Sequence, residues 1–176
     1  MIKGTELAIN LFKNIKGLKP TRAKQGHGSF IKIDFGRDFS EELKTRAGIK
    51  IRHYGEWRLW VYMCAWRIDI NQNPCAGSED PREKIESCLS ELIQRELNEI
   101  IILNDSFDAK FTFGKDLELN LFSFKTTEHE QWMFFTPENK VFTAGPGTEW
   151  SYDAAKKTSN PNFEFLSDTR DEGRGD

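Results

Sequence analysis

Apolar residues recur at helical spacing in two stretches of the chain. In residues 5–14 they return every three or four positions, which predicts a first helix that Gly17 ends. In residues 80–95 one stripe has the same spacing, with Asp80 expected at the N-cap and Pro81 in the first turn. That stripe consists of Ile85, Cys88, Leu89, Leu92 and Ile93. The pattern therefore predicts two helices.

Elsewhere apolar and polar positions alternate, which is typical of strands. Residues 18–23 and 29–35 predict two strands, and Pro20 places the first at a sheet edge because proline cannot donate to a ladder. Residues 56–70 are rich in tryptophan and apolar on both faces, which predicts one central strand covered on both sides. Residues 36–55 are polar and interrupted by glycine. They predict a long loop with at most a short helical turn at 40–43.

After the second helix the period is two. Short strands are predicted at residues 100–103, 107–113, 117–124, 132–135 and 140–143. Their short connections favour antiparallel neighbours, because parallel pairs need long crossovers. The expected fold is α+β: a curved, mainly antiparallel sheet of six to eight strands with one or two helices packed on it. We expect a single domain over residues 1–155 and a polar, flexible tail over 156–176.

Composition narrows the functional classes. A net charge of −3 over 176 residues does not favour nucleic-acid binding, which usually needs a strongly basic face. The N-terminal residues lack the features of a secretory signal, and no apolar run reaches the length of a membrane span. Cys64, Cys75 and Cys88 have no framework spacing. They predict reduced thiols in a cytoplasmic protein, with Cys75 the exposed one.

The sequence offers few residues for catalysis or for holding a metal. His27, His53 and His129 lie in predicted loops without the spacing of metal ligands, so neither a metal nor a cofactor is expected. The remaining enzymatic alternative is a small metal-dependent hydrolase or nuclease that uses Asp34, Asp105 or His129.

Two polar features need a partner. Arg67 and Asp69 lie near the end of a strand that is apolar on both faces, where an unpaired charge would be costly. Arg67 therefore either pairs inside the domain or contacts another protein. The turn at 76–80 delivers acidic side chains to a helix start, either as a cap or as an acidic contact surface.

One segment has a more specific pattern. Gly55 is followed by a strand that ends in Cys64-Ala-Trp-Arg-Ile68, and Gly77-Ser-Glu-Asp80 then opens a helix. This pattern resembles a family of small uncharacterised bacterial proteins. Upstream, Gly17-Leu-Lys-Pro-Thr-Arg22 and Phe30-Ile-Lys-Ile-Asp-Phe-Gly36 are similar to that family's opening hairpin, and residues 111–132 to its closing strands. The resemblance covers about residues 5–150.

Members of this kind resemble immunity proteins of bacterial toxin systems. The resemblance implies a non-enzymatic protein that occludes the active site of a toxin encoded nearby, with acidic groups facing a basic surface. Aromatic residues and arginine are the natural hot spots of such an interface. The candidate contacts are Trp57, Arg67, Glu79, Asp80 and Trp150. The alternative within the binding class is a phage-defence or counter-defence component that also acts by protein contact.

Overall fold

The computed structural model describes residues 3–45 and 47–155. Helix α1 spans Gly4–Phe12 and continues into a 3₁₀ turn at Lys13–Ile15, and helix α2 spans Arg82–Ile93. The strands are β1 (Pro20–Gln25), β2 (Ile31–Thr45), β3 (Gly48–Val61), β4 (Ala65–Ile70), β5 (Asn73–Gly77), β6 (Leu97–Ile102), β7 (Ala109–Phe113), β8 (Leu117–Phe122), β9 (Trp132–Thr136), β10 (Lys140–Ala144) and β11 (Trp150–Ala154).

These strands form two antiparallel sheets. One has six strands in the order β1-β2-β3-β9-β10-β11, and the other has five in the order β5-β4-β8-β7-β6. The predicted α+β, mainly antiparallel class is confirmed. The inner faces share one hydrophobic core, in which Phe35 of β2 stacks on Phe113 of β7 with ring centroids 6.5 Å apart. As predicted from Pro20, β1 is an edge strand.

Helix α1 inserts its apolar face into this core. Phe12 is fully buried, and its ring lies 5.1 Å from that of Phe111 in one sheet and 4.4 Å from that of Phe134 in the other. A buried Phe removes a large apolar area from water. Since this ring contacts both sheets, its burial helps to hold them together.

Helix α2 packs against β1 of one sheet and β5 of the other. The predicted stripe is confirmed, since Ile85, Cys88, Leu89 and Leu92 are buried. The predicted capping is wrong. Pro81 occupies the N-cap position and no side chain caps the helix, because the Asp80 carboxylate instead accepts a hydrogen bond from the Gly77 N–H.

The single strand predicted over 56–70 is wrong. The chain leaves the six-stranded sheet after Val61 and enters the five-stranded sheet at Ala65. Before the crossing the core-facing positions are odd-numbered, and after it they are even-numbered, as at Trp66 and Ile68. Because each sheet buries one face, the switch of parity gave the sequence its appearance of two apolar faces.

The long loop predicted over 36–55 is also wrong. Strands β2 and β3 form a long hairpin with each other. On one side, β1 pairs only with residues 31–35 of β2, and on the other side, β9 pairs only with residues 58–61 of β3. Among the described residues, 38–45 and 48–55 therefore pair only with each other. We call these two segments the arm.

The thiol prediction needs a correction as well. Cys75 of β5 and Cys88 of α2 form a disulfide, with Cα atoms 6.3 Å apart. The turn between them folds the helix stripe back onto β5, a proximity that a separation of 13 residues does not reveal. Cys64 is a buried free thiol, and burial raises its pKa to about 12, so it is protonated at neutral pH.

Two further sequence expectations concern the ends of the chain. Strand β11 was not predicted, and the expected tail over 156–176 lies outside the described residues. Within the part that the structure describes, no helix combines the length and the apolar character that crossing a membrane requires.

Candidate functional site

The five contact residues predicted from the sequence lie in two separate places. Arg67 pairs in register with Gly77, so Arg67, Glu79 and Asp80 lie around the junction of β4, β5 and α2. Trp57 and Trp150 lie in the other sheet, on β3 and β11, with β9 and β10 between those strands. The structure therefore does not gather them into one surface.

Arg67 has its partner inside the domain. Its Nε and Nη2 donate to the two carboxylate oxygens of Asp69 at 2.8 and 3.0 Å, and Asn120 donates to the same carboxylate at 3.0 Å. The guanidinium lies 5.8 Å from the ring centroid of Phe122, and 48% of the side chain stays exposed. Pairing thus explains the charge, while the outer edge of Arg67 remains at the surface.

The acidic turn before α2 is stabilised by a hydrogen bond between a side chain and the backbone of the same turn. Asp80 accepts from the Gly77 N–H at 2.8 Å and from Lys84 Nζ at 3.0 Å, and these hydrogen bonds lower the pKa of its carboxyl. Glu79 is exposed. Asp80 therefore has a structural role, because it links the turn to helix α2 through Gly77 and Lys84.

The two tryptophans mainly pack against other aromatic rings. Trp57 stacks on Phe134 with ring centroids 5.6 Å apart. Trp150 stacks on Phe142 at 5.9 Å and lies against Gly4 of α1, although 40% of it is exposed. Both rings help to close the six-stranded sheet over the core.

The residues nominated for hydrolysis lie on separate elements. Asp34 is in β2, Asp105 in the turn between β6 and β7, and His129 in the loop between β8 and β9. In the described ranges no three His, Cys, Asp or Glu side chains lie close enough together to hold a metal ion.

An open concavity lies elsewhere, at the base of the arm. It is a cleft of about 690 Å³ on the outer face of the six-stranded sheet, between the arm and the turn that joins β9 to β10. Arm residues form one wall, the turn forms the other, and Glu56, Arg58 and Phe135 lie between them. The last described residue, Ala155, also lines the cleft.

Strand register explains why these side chains meet. Phe39 pairs with Tyr54, and Arg58 with Phe135, so each pair shares a face of the sheet. Between Phe35 and Asp38 strand β2 contains a bulge, where Gly36 adopts φ 77°. A bulge bends and twists a strand, which turns the arm relative to the rest of the sheet.

Cations in the cleft lie over aromatic rings. The Arg58 guanidinium is 4.3 Å from the ring centroid of Phe135, and that of Arg52 is 5.2 Å from the ring centroid of Tyr54. On the other wall, Lys140 Nζ lies 5.1 Å from the ring centroid of Tyr152. Such stacking restricts a planar guanidinium to few orientations.

A partly buried ion pair adjoins the floor of the cleft. Asp34 pairs in register with Arg58, and its Oδ2 accepts from Arg22 Nη1 at 2.6 Å. Burial raises the pKa of Asp34, against the opposing effects of Arg58 and Arg22. The ion pair fixes the base of the arm, and the cleft beside it is lined by oriented cations and aromatic rings. Such a lining is suited to binding.

Sequence reasoning missed this site, although a signal was present. Ile49 and Ile51 alternate with the charged Lys50 and Arg52 directly after Gly48. A run of period two that follows a glycine is typical of a strand that begins at a turn.

Comparison of the chain with known family models, curated proteins and solved structures found no match. The resemblance to immunity-type proteins therefore stays a prediction.

Proposed function

We propose that this chain acts by binding a protein partner, as an immunity protein that neutralises a bacterial toxin by covering the toxin's active site. The arm is the observation that carries the proposal. Its strands extend about 25 Å beyond their neighbours, given the rise of a strand per residue. Near its end, Ile49 and Ile51 are 68% and 58% exposed.

Exposed aliphatic side chains on an open hairpin favour association. Ile49 and Ile51 lie two residues apart and so share one face of the arm, opposite the face that lines the cleft. Burying each against a partner would contribute about 1.5–3 kcal/mol. Among residues 3–45 and 47–155, no further strand pairs with either edge of the arm, so both edges present backbone groups to which a partner strand can be added.

The test is co-expression with the protein encoded beside this chain. We expect a one-to-one complex in size-exclusion chromatography, and we expect that protein to kill cells that lack this chain. The double variant Ile49→Asp/Ile51→Asp should lose the complex and the protection, because it places charges in the contact.

Leu103→Asp is the matched control. Leu103 directly follows β6 of the other sheet and is 58% exposed, so its replacement has a similar surface cost and should leave the complex intact. Full protection by the double variant would refute the proposed contact. Metal-dependent turnover that Asp34→Ala abolishes would refute the binding function itself.

A further inference from the structure

The edge of β2 along the arm is complementary to itself. We propose that two copies of this chain associate through this edge, with β2 of one copy antiparallel to β2 of the other about a two-fold axis at Glu41. The association is additional to the proposed function and does not depend on it.

The backbone of β2 is open along the arm. Strand β1 pairs with β2 only as far as Phe35, and no other strand of the described ranges pairs with residues 38–45 on that side. Thr45 and Gly48 are paired across a two-residue turn, and the closing pair of such a turn is hydrogen-bonded. Because hydrogen-bonded and open pairs alternate along an antiparallel ladder, the N–H and C=O groups of the even-numbered residues point away from β3. Such groups can pair with a further strand.

Opposite charges meet when β2 pairs with its own copy. Asp38 and Lys44 are equally far from Glu41, so each Asp38 lies opposite the second copy's Lys44 and two such pairs form. Lys44 is exposed and has no ion-pair partner among the residues that the structure describes. Asp38 lies 3.4 Å from Arg22 Nη2, and 55% of its side chain is exposed. Opposite charges directly across an antiparallel pair are stabilising.

The apolar positions match in the same register. Phe39 lies opposite the second copy's Leu43, and because Phe39 is 37% exposed, this contact removes apolar area from water. Glu41 lies opposite the second copy's Glu41. Each of these carboxylates has a cation close by in its own chain, since Glu41 Oε1 is 3.3 Å from Arg52 Nε.

Charge also excludes the neighbouring registers. With the axis at Glu41, the even-numbered residues of the two copies pair with each other, and these four pairs supply about eight backbone hydrogen bonds. An axis at Glu42 would place the two exposed Glu42 side chains opposite each other, and an axis at Ser40 would place Glu42 opposite the second copy's Asp38. Like charges directly opposite are destabilising, which leaves the axis at Glu41.

The dimer leaves the proposed toxin contact open. In an antiparallel pair of identical strands the two-fold axis is perpendicular to the sheet, so Ile49 and Ile51 of both copies lie on the same face. The two arms then form one four-stranded surface that carries the proposed contact twice. A one-to-one complex with another protein would contain two copies of each chain.

The variant Glu41→Cys tests the position of the axis in the full chain. Residues on the axis form an open pair whose Cα atoms lie about 4.5 Å apart, which is within reach of a disulfide. With oxidised glutathione as the oxidant, we expect a covalent dimer on a non-reducing gel. Glu42→Cys is the matched control, because its two copies would lie about 8 Å apart and cannot be bridged.

Charge exchange tests the contact between copies. Sedimentation equilibrium of the native chain should show a monomer and a dimer in exchange. Asp38→Lys and Lys44→Asp each place like charges opposite each other and should raise the dissociation constant of the dimer at least about tenfold. An equimolar mixture of these two variants should recover the native value within about threefold, because every charge again meets its opposite. Glu79→Lys makes the same change of charge at an exposed residue away from the arm and should change the constant by less than about twofold.

The contrary outcomes are equally definite. A native chain that stays monomeric up to its solubility limit, equal cross-linking of the Glu41→Cys and Glu42→Cys variants, or a mixture that dimerises no better than its components would overturn the inference. A monomeric native chain that loses its complex with the neighbouring protein on Lys44→Asp would show that protein as the occupant of the edge, which also overturns it. If the chain is monomeric and its complex requires only Ile49 and Ile51, the dimer fails while the proposed function stands.

Discussion

Replacement of Gly55 by alanine should destabilise the protein at the point where the arm leaves the sheet. A Cβ atom at Gly55 would lie 2.7 Å from Asp34 Cβ and 3.0 Å from the backbone N and O of Phe35. Favourable carbon contacts lie at about 3.5–4.0 Å, so the strands must separate. Phe35 cannot yield easily, because it is buried and stacked on Phe113.

Overpacking of this kind costs about 1–3 kcal/mol, which for a domain of this size lowers Tm by about 2–12 °C. Urea unfolding followed by tryptophan fluorescence measures the change. Gly77→Ala is the control, since its nearest neighbour, the Trp66 carbonyl oxygen, lies at an ordinary 3.5 Å. We expect it to change the free energy of unfolding by less than about 0.5 kcal/mol. If both variants had the same stability, the close approach at Gly55 would be refuted.

Two further predictions concern the cysteines and Asp34. Denatured protein should expose one reactive thiol before reduction and three after it, and reduction of the Cys75–Cys88 disulfide should lower the free energy of unfolding by about 3 kcal/mol, as the size of the closed loop implies. An unchanged urea midpoint after reduction would contradict this prediction. Burial raises the pKa of Asp34 in the folded state, so its contribution to stability is complete below the pKa of an unfolded carboxyl, about 3.9, and declines as the pH rises through the folded pKa. Relative to Asp34→Asn, the native protein should therefore lose stability as the pH rises through that window; a relative gain in urea midpoint would show that Arg22 and Arg58 outweigh burial.

The sequence predicted what depends on neighbours in the chain. The stripe of α2 and the short strands after it were found because spacings of three to four and of two are local properties. The crossing between β3 and β4 was missed, because an apolar residue such as Trp66 looks the same whichever sheet buries it. Asp80 was predicted to be the N-cap of α2, whereas the N-cap is Pro81, the next residue. The prediction failed because a carboxylate can accept from the backbone of a turn as well as from that of a helix.

The cleft was beyond local reasoning. Arg58 and Phe135 are far apart in sequence and meet only because β3 pairs with β9. The predicted contacts were chosen by residue type, and Trp57 and Arg67 proved to lie on different sheets. Residue type indicates what a side chain can do, whereas strand pairing decides which side chains act together.

The crossing at residues 62–64 has a consequence for folding kinetics. Immediately before it, β3 must find β9, and immediately after it, β4 must find β8, so both sheets depend on pairings distant in sequence. Loop closure must precede the contacts that compensate for it, which places such topologies among slow folders, on the order of milliseconds to seconds. The two strands of the arm are close neighbours in sequence, with Thr45 paired to Gly48, so we expect them to pair before the rest of the sheet is complete.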